Sequence, residues 1–375
     1  MNSDLHVAID CRVVDPHYPG IGRAVLETVR ALARDDRAPR LSLLVPPTPP
    51  AELVELAEDS GGRASLAPIR SRLRAPADQW TLPRALARLR PDVYHAPYYA
   101  VPAVIPVPMV LTVYDLIPQL FPQYWPNHAL HAAIDVWTRY AIRRADRVIA
   151  ISESTASDLA RLVPSAANKT RVALLGVTPR PQDTPAATAG DNVNEPYLLY
   201  VGSNKPHKNL PRLVAAFARL EPDMAGRLVI AGAWDNDYPQ ALDEARRSGL
   251  DARITFEHRP SDRRLDELYA GATAFLFPSL YEGFGLPVLE AMAAGLPVAT
   301  SARGSLGEVA GDAALLFDPT SDEEIAAAMR LLLRDKELRE RLSAAGRARA
   351  ALFLWSRTAR DTFEVYAEAA RVRKG

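Results

Sequence analysis

Short apolar runs rich in Val, Ile and Leu alternate along this chain with longer segments of helical spacing, and the alternation occurs in two separate series. Runs that are apolar throughout predict strands buried on both faces, and strands that alternate with helices predict parallel sheets built from βαβ units. The sequence therefore predicts an α/β fold with two doubly wound parallel sheets. The predicted strands are residues 7–11, 41–45, 93–95, 110–113 and 148–151 in the first series, and 197–201, 227–231, 253–256 and 274–277 in the second.

The length and composition of the chain predict two domains. A single hydrophobic core stops growing near roughly 250 residues, so 375 residues favour two cores. A stretch rich in Pro, Thr, Ala and Asn separates the two series and has the composition of a linker. We expect Rossmann-like domains at 1–180 and 197–355, a linker at 181–196 and a C-terminal helix within 356–375. Because such sheets bind ligands at their carboxyl edges, the two domains are expected to face each other across one cleft.

Composition also narrows the class of protein. The formal net charge of zero argues against nucleic acid as a partner. No apolar run reaches the roughly 20 residues that span a bilayer, and a single cysteine with no leader-like start predicts a cytoplasmic protein, with any membrane contact peripheral at the inner face. Seven arginines between residues 63 and 90, with Trp80 among them, form either an acceptor- or membrane-facing patch or a solvated helix face.

The segment 277–300 is the most informative. A glycine-containing loop follows a strand, and a helix is predicted to begin near Pro287 and to stop at Gly295. Free backbone N–H groups of residues 285–288 would favour a phosphate at this helix start. Glu282 and Glu290 can face the same ligand, and carboxylates accept hydrogen bonds from sugar hydroxyls. Taken singly, either glutamate is equally well explained as a turn or helix-start residue.

Two further segments point to phosphate binding. Lys205 and Lys208 follow the strand at 197–201 and are placed to meet a diphosphate, while Asn209 could cap the next helix. Gly20 and Gly22 are predicted between the first strand and the first helix, where they would let the backbone approach a phosphate or sugar closely. The third glycine of a dinucleotide-binding fingerprint is missing, which argues against a nicotinamide cofactor.

Two strand ends add polar side chains. Tyr114 and Asp115 end the strand at 110–113 at the carboxyl edge of the first sheet, although Asp115 could also be only a turn or cap residue. His258 and Arg259 follow the strand at 253–256 and either border the pocket of a nucleotide base or lie on a surface loop.

Together these segments resemble the retaining glycosyltransferases of family 4, which have the GT-B fold, and among them the mannosyltransferases. The resemblance covers nearly the whole chain and is strongest from residue 197 to 319. It rests on Glu282 and Glu290 as the Glu-x7-Glu motif, on Lys-Asn-Leu at 208–210, and on Gly-Ser-Leu-Gly-Glu-Val at 304–309 followed by Gly-Asp-Ala-Ala at 311–314. The first half adds Gly-Ile-Gly-Arg at 20–23 and the segment at 144–152.

The resemblance implies a role for each of these residues. Glu290 would bind the ribose, Glu282 and the loop after it the donor sugar, and Lys208 the diphosphate; the last helix would pack on the first domain. Many relatives carry an arginine before the phosphate lysine, where we assign Lys205, and His-Asp where this chain has Tyr114 and Asp115. The predicted catalytic residues are Glu282, Lys208, Lys205 and Asp115. The predicted donor-binding residues are Gly20, Gly22, Tyr114, Lys205, Lys208, Glu282, Gly283, Phe284, Gly285, Leu286 and Glu290.

The expected reaction is the metal-independent transfer of a hexose from a nucleotide diphosphate sugar, with no cofactor. Lys205, Lys208 and the helix start would stabilise the leaving diphosphate. Retention would come from attack on the face that the diphosphate leaves, because no carboxylate pair of a retaining glycosidase is evident. GDP-mannose is the favoured donor, a 6-deoxy sugar stays open, and the acceptor is a glycan, a lipid-linked sugar or a natural product. The alternatives are a nucleotide-sugar epimerase or hydrolase and a noncatalytic nucleotide-sugar-binding protein.

Overall fold

The computed structural model describes residues 5–35, 39–124, 127–178, 196–221, 224 and 226–372. The chain forms two compact units, one of Met1–Gly176 with Leu354–Gly375 and the other of Val177–Phe353. Each unit holds one parallel sheet with helices around it, so the predicted α/β class with two doubly wound sheets is confirmed. The predicted linker at 181–196 lies, except for Pro196, outside the described residues.

The first unit is built on a seven-stranded sheet whose neighbouring strands all run parallel. Its order is β3-β2-β1-β4-β5-β6-β7. The first strand therefore lies in the middle of the sheet, and the order in which strands are added across the sheet reverses between β1 and β4. The strands are β1 (His6–Asp10), β2 (Arg40–Val45), β3 (Ala64–Pro68), β4 (Val93–Ala96), β5 (Met109–Val113), β6 (Arg147–Ala150) and β7 (Thr170–Val172). The helices are α1 (Pro19–Arg34), α2 (Ala51–Asp59), α3 (Asp78–Leu89), α4 (Ile117–Leu120), α5 (His128–Arg144) and α6 (Glu153–Leu162).

The second unit repeats this architecture with six parallel strands in the order β10-β9-β8-β11-β12-β13. The reversal falls between β8 and β11, and ligands of such sheets bind at the carboxyl ends of the strands that flank it. The strands are β8 (Tyr197–Val201), β9 (Arg227–Gly232), β10 (Ile254–His258), β11 (Ala274–Phe277), β12 (Val298–Ser301) and β13 (Leu315–Phe317). The helices are α7 (Leu210–Ala218), α8 (Gln240–Arg247), α9 (Asp262–Gly271), α10 (Leu286–Ala293), α11 (Ser305–Ala310), α12 (Asp322–Arg334) and α13 (Lys336–Ala350).

The last helix, α14 (Trp355–Val372), belongs to the first unit. Its buried face joins the hydrophobic core formed by β1, β2 and α1, and Tyr366 is fully buried in that core. The hydroxyl of Tyr366 lies 2.7 Å from His95 Nδ1, and Thr358 Oγ1 donates to the carbonyl oxygen of Leu174 at 2.6 Å. The helix is thus held by packing and by hydrogen bonds. Among the described residues, no helix is long and apolar enough to cross a membrane.

Candidate active site

The loops that follow β8 and β11 carry most of the predicted site residues of the second unit. These two strands are neighbours at the reversal of the sheet, so their loops lie side by side at its carboxyl edge. Lys205 and Lys208 lie in the loop after β8, Glu282 lies in the loop after β11, and Glu290 lies in α10.

An ion pair joins the two loops. Lys208 Nζ donates to both carboxylate oxygens of Glu282, at 2.7 and 2.9 Å. The two side chains are only 16% and 11% exposed, so both charges are largely removed from water. Lys208 Nζ also lies 5.4 Å from the centre of the Phe277 ring. The fold thus brings into contact two predicted site residues that are 74 positions apart in the sequence.

A buried amide fixes the loop after β8. Asn209 has a left-handed backbone, with φ at 60°, and stands immediately before α7. The expectation that its side chain caps α7 is wrong, because the amide nitrogen donates instead to the carbonyl oxygens of Pro278 and Pro319, at 3.1 and 2.7 Å. Pro278 follows β11, so Asn209 holds the two loops of the site together.

His207 lies between the two lysines of this loop. Burial, together with the positive charges of Lys208 and Lys205, lowers the pKa of His207 to about 2. The imidazole is therefore neutral under ordinary conditions. The backbone carbonyl oxygen of His207 accepts the N–H of Leu280 at 2.8 Å. Lys205 is exposed, and in the part of the chain that the structure describes it pairs with no carboxylate. The positive charge of the loop therefore comes from the two lysines.

Ser305 shapes the loop after β11. Its hydroxyl is fully buried and lies within hydrogen-bond distance of two carbonyl oxygens, those of Glu282 at 2.9 Å and Phe284 at 2.8 Å. Gly304 precedes it with a φ of 62°, and a Cβ there would lie 3.3 Å from the Glu282 oxygen. The start of α11 therefore presses against the backbone of Glu282 and fixes where that residue lies. Sequence reasoning singled out the 304–309 motif but not Ser305.

Helix α10 begins at Leu286, one residue before the predicted start, and ends before Gly295, whose φ is 80°. The prediction of free N–H groups over residues 285–288 is wrong for Val288, which donates to the Gly285 carbonyl at 3.0 Å. Pro287 has no N–H. Within the described residues, the N–H groups of Gly285 and Leu286 have no backbone acceptor. Fewer free N–H groups are therefore available for an anion at this helix start than the sequence predicts.

Glu290 lies in α10 and is 7% exposed, and Glu282 is 8% exposed. Carboxylates are seldom buried to this extent unless they are paired or hydrogen-bonded. The Tyr269 hydroxyl donates to Glu290 Oε2 at 3.3 Å, and Tyr269 is itself buried. Tyr269 was not predicted from the sequence, because a tyrosine within α9 gives no signal of its contact with α10.

A cavity of about 140 Å³ lies at the carboxyl ends of β8, β9 and β10. Trp234 and Phe256 line it and meet edge to face, with ring centres 5.3 Å apart. His258 also lines the cavity, and its Nδ1 accepts the backbone N–H of Trp234 at 3.2 Å. Of the two residues left open by the sequence, His258 borders this cavity, whereas Arg259 does not line it.

The buried amide of Asn204 supports the wall of this region. Its nitrogen donates to the carbonyl oxygens of Asp235 and Tyr238, at 2.7 and 2.8 Å, and its oxygen accepts the N–H of Asp235 at 2.7 Å. Asn204 therefore ties the loop after β9 to the loop after β8.

Across the described ranges, no group of three His, Cys, Asp or Glu side chains is placed to hold a metal ion.

The glycines of the first unit lie elsewhere than expected. Gly20 and Gly22 belong to the first turns of α1, and not to a loop before it. The N–H of Gly22 donates to the Tyr18 carbonyl at 2.7 Å, and a Cβ on Gly22 would lie 2.8 Å from the Val13 carbonyl oxygen. Gly22 therefore serves the packing of α1 on the preceding turn. Gly20 is exposed and has open space around it.

Tyr114 and Asp115 follow β5 and point to different roles. Asp115 Oδ1 accepts the N–H of Ile117 at 3.0 Å, so its carboxylate closes a tight turn that leads into α4. Tyr114 lines a small cavity of about 20 Å³ together with His95 and Thr362. Burial raises the pKa of Tyr114 and lowers that of His95 to about 3. The structure thus shows a local backbone contact for Asp115, and its catalytic role stays a prediction.

Comparison with known proteins agrees with this arrangement. The sequence profile described as "Glycosyl transferases group 1" matches residues 183–349, and that of "Glycosyltransferase Family 4" matches residues 18–181. The O-antigen chain mannosyltransferase B of Escherichia coli is 31% identical over 93% of this chain and 96% of its own length. The serotype-specific mannosyltransferase WbdA of Escherichia coli is 27% identical over 96% of this chain and 48% of its own length.

A solved structure shares the whole fold. Sucrose-phosphate synthase from Thermosynechococcus elongatus superposes with a TM-score of 0.77 over 97% of this chain and 98% of its own, at 21% identity. At this identity the likeness concerns the fold alone. With the two family profiles and the relative that matches over nearly its full length, the chain belongs to the family 4 glycosyltransferases with the GT-B fold.

Proposed function

We propose that this glycosyltransferase moves a hexose from GDP-mannose, or a similar nucleotide sugar, to a glycan, lipid-linked or natural-product acceptor. The observation that carries the proposal is the Lys208–Glu282 ion pair at the reversal of the second sheet, with Glu290 buried in the adjoining helix. The similarity to two Escherichia coli mannosyltransferases supports mannose as the transferred sugar.

Donor binding would rearrange the ion pair. The Lys208 ammonium would exchange the Glu282 carboxylate for diphosphate oxygens, and Glu282 would then accept hydrogen bonds from hydroxyls of the donor sugar. Glu290, held by Tyr269, would accept hydrogen bonds from the ribose. Gly283, Phe284, Gly285 and Leu286 complete the proposed donor loop. In the first unit the proposed donor contacts are Gly20, Gly22 and Tyr114, with Asp115 as a catalytic residue.

The chemical step follows from where charge develops. As the bond to the anomeric carbon breaks, negative charge builds on the departing diphosphate, and Lys205, Lys208 and the start of α10 would stabilise it. We propose that these groups make a metal ion unnecessary. The acceptor hydroxyl would attack from the face that the diphosphate leaves and pass its proton to a departing phosphate oxygen. Retention of the anomeric configuration follows from this geometry.

The cavity beside β9 and β10 is the proposed position of the nucleotide base. Trp234 and Phe256 offer aromatic surface for stacking. Because His258 Nδ1 accepts a backbone N–H, Nε2 is the ring nitrogen placed to donate a hydrogen bond to a base carbonyl. This polarity suits a base with a carbonyl acceptor, such as guanine or uracil, better than adenine.

We further propose peripheral membrane contact through α3. Trp80 is 59% exposed, and Arg84 and Arg88 are exposed at the fourth and eighth positions after it, on the same helical face. Among the described residues neither arginine pairs with a carboxylate. An aromatic ring with free cations suits an anionic membrane surface. Sedimentation with phosphatidylglycerol vesicles should fall for R84E/R88E to the level measured with phosphatidylcholine; equal binding by wild type and variant would contradict this contact.

Turnover with defined products tests the proposed reaction. We would incubate the full chain with GDP-mannose, UDP-glucose and dTDP-glucose in EDTA, with and without a mannoside acceptor, and assign the anomeric configuration of the product by NMR. The proposal predicts an α-mannoside only when acceptor is present, and none from E282A. Sugar release or epimerisation without acceptor would favour the hydrolase or epimerase, and binding without turnover would favour a noncatalytic protein. A trapped covalent glycosyl-enzyme would contradict the same-face mechanism.

A further inference from the structure

An arginine held by three tyrosines lies in the first unit, outside the predicted site. The guanidinium carbon of Arg74 is 4.9 Å from the ring centre of Tyr98, 5.7 Å from that of Tyr18 and 5.9 Å from that of Tyr99. Its Nη2 donates to the hydroxyl of Tyr98 and, at 3.4 Å, to that of Tyr99. The rings of Tyr98 and Tyr99 are 4.1 Å apart, and Tyr18 lies 5.4 Å from Tyr98. We call these four residues the Arg74 cluster.

The Arg74 cluster lies at the carboxyl edge of the first sheet. Tyr98 and Tyr99 follow β4, Arg74 lies in the loop between β3 and α3, and Tyr18 precedes α1. The order of the sheet reverses between β1 and β4, which is where doubly wound sheets bind ligands. The cluster therefore occupies the ligand-binding edge of this unit, next to the start of α1.

A buried network fixes the loop that carries Arg74. Arg12 is 6% exposed and donates from Nη1 to the Ser71 carbonyl oxygen at 3.2 Å and to Asp78 Oδ1 at 2.7 Å. Arg12 is also paired with Asp10 at the end of β1, at 2.6 Å. The residues three before and four after Arg74 are thus anchored to the sheet, and Arg74 itself has a left-handed φ of 69°. An L-residue held in this strained conformation by its surroundings is a reason to look for a function.

The loop carries positive charge without a partner. Arg70, Arg72 and Arg74 are all exposed, and none of them pairs with a carboxylate among the residues that the structure describes. Stacking on the tyrosine rings orients the Arg74 guanidinium, while the hydrogen bonds to the two hydroxyls use only Nη2. Among the described residues, the N–H groups of Nε and Nη1 make no hydrogen bond, so they stay available as charged donors to a phosphate or diphosphate group.

We propose that the Arg74 cluster is the phosphate-binding part of the acceptor site, so that the acceptor carries a phosphate or diphosphate ester. Arg74 supplies the oriented contact, and Arg70 and Arg72 add general attraction. The Tyr98 hydroxyl donates to that of Tyr99 at 2.7 Å, so the Tyr99 hydroxyl keeps its own proton to donate to a phosphate oxygen. The assignment to the acceptor rests on the proposed glycosyl transfer, which places the donor diphosphate on the second unit.

Calorimetric titration of inorganic pyrophosphate into the full chain tests the proposal. Wild type is expected to bind pyrophosphate at two sites, one at the Arg74 cluster and one at Lys208. R74M should lose the first site, and K208M should keep it. R74M should weaken that site by roughly tenfold or more, because a charge-assisted contact is removed. R72M is the matched control, since Arg72 is exposed on the same loop and stacks on no aromatic ring among the described residues; it should weaken the site less than about threefold. Equal binding by R74M and wild type would overturn the proposal, whatever K208M does.

Further arms separate folding, phosphate source and the donor site. Melting by circular dichroism checks that R74M is folded; R74K, which keeps the charge but loses the planar donors, should bind several-fold more weakly than wild type, and wild-type affinity in R74K would also overturn the proposal. With phosphatidylglycerol vesicles, binding lost in R74M identifies a lipid headgroup as the source of the phosphate, and unchanged vesicle binding identifies a phosphorylated acceptor. If nucleotides fail to bind while R74M still loses its pyrophosphate site, the proposed function fails and the anion site stands.

Discussion

Replacing Lys208 by methionine should destabilise the second unit even in the absence of substrate. Lys208 and Glu282 form an ion pair at 2.7 Å whose side chains are 16% and 11% exposed. K208M removes the cation and leaves the Glu282 carboxylate largely buried without its partner. The same variant removes the proposed contact to the leaving diphosphate, so loss of stability and loss of activity are expected together.

The size of the effect follows from charge and burial. At an effective dielectric constant of about 20, opposite charges about 3.5–4 Å apart attract by about 4–5 kcal/mol. Breaking a buried ion pair from one side typically costs about 3–5 kcal/mol. Since both side chains keep some contact with water, we expect about 2–4 kcal/mol for K208M. For a domain of this size that corresponds to a fall in Tm of roughly 5–15 °C.

A double-mutant cycle measures the pair itself. Wild type, K208M, E282Q and K208M/E282Q would be melted by differential scanning calorimetry, following the transition of the second unit. The double variant carries neither charge, so its loss should be smaller than the sum of the single losses by about 1–3 kcal/mol. K205M is the matched control, because Lys205 is exposed, and should change stability by less than about 0.5 kcal/mol. Additive effects, or a K208M loss no larger than that of K205M, would refute the assigned ion pair.

Three further predictions follow from the structure. G22A should lose about 2 kcal/mol or more of unfolding free energy in urea, since its Cβ would lie 2.8 Å from the Val13 carbonyl oxygen. The control G20A has open space around it and should be neutral or slightly stabilising. Equal effects of the two variants would contradict the packing assigned to Gly22. S305A removes a hydroxyl whose single proton lies within reach of two carbonyl oxygens of the loop after β11, and it should cost about 1–2 kcal/mol and weaken nucleotide binding. Unchanged affinity measured by calorimetry would show that the loop does not depend on this hydroxyl. The pKa of His207 is about 2 in the folded chain but near 6.5 in the unfolded chain. The contribution of His207 to stability is therefore full above pH 6.5 and is lost as the pH falls toward 2. Between these values the free energy of unfolding should fall by about 1.4 kcal/mol per pH unit. H207Q should flatten that slope in unfolding measured between pH 7 and 4, and an unchanged slope would show that this histidine is not the group responsible.

The sequence predicted the inner strands of both sheets because those strands are apolar at almost every position. Every residue of β1, β5 and β8 is buried, and such runs leave little choice but a sheet covered on both faces. The strands it did not predict are less buried, shorter or less apolar. β3 and β7 lie at the edges of the first sheet and expose several residues, β12 reads Val-Ala-Thr-Ser with one large apolar side chain, and β13 has only three residues. Runs that short carry no periodicity that separates a strand from a loop.

The site was predictable in its charged residues but not in the contacts that hold them. Lys208 and Glu282 were both predicted, and the structure adds that they pair with each other. The amide of Asn209 was expected to act locally, yet it reaches two carbonyls far along the chain. The need for a glycine at position 22 likewise comes from a close contact between α1 and the turn before it. Such contacts depend on how loops meet in space, and spacing along a sequence does not encode this.

Binding of nucleotide diphosphates is the measurement on which the proposed function depends. GDP, UDP, dTDP and ADP would be titrated calorimetrically into the full chain in EDTA, and then into E290A. The proposed donor site predicts that one nucleotide binds clearly better than the others and that E290A binds it roughly tenfold or more weakly, because a buried carboxylate acceptor is lost. If no nucleotide binds, or if E290A binds as tightly as wild type, the donor site assigned to the carboxyl edge of the second sheet is contradicted.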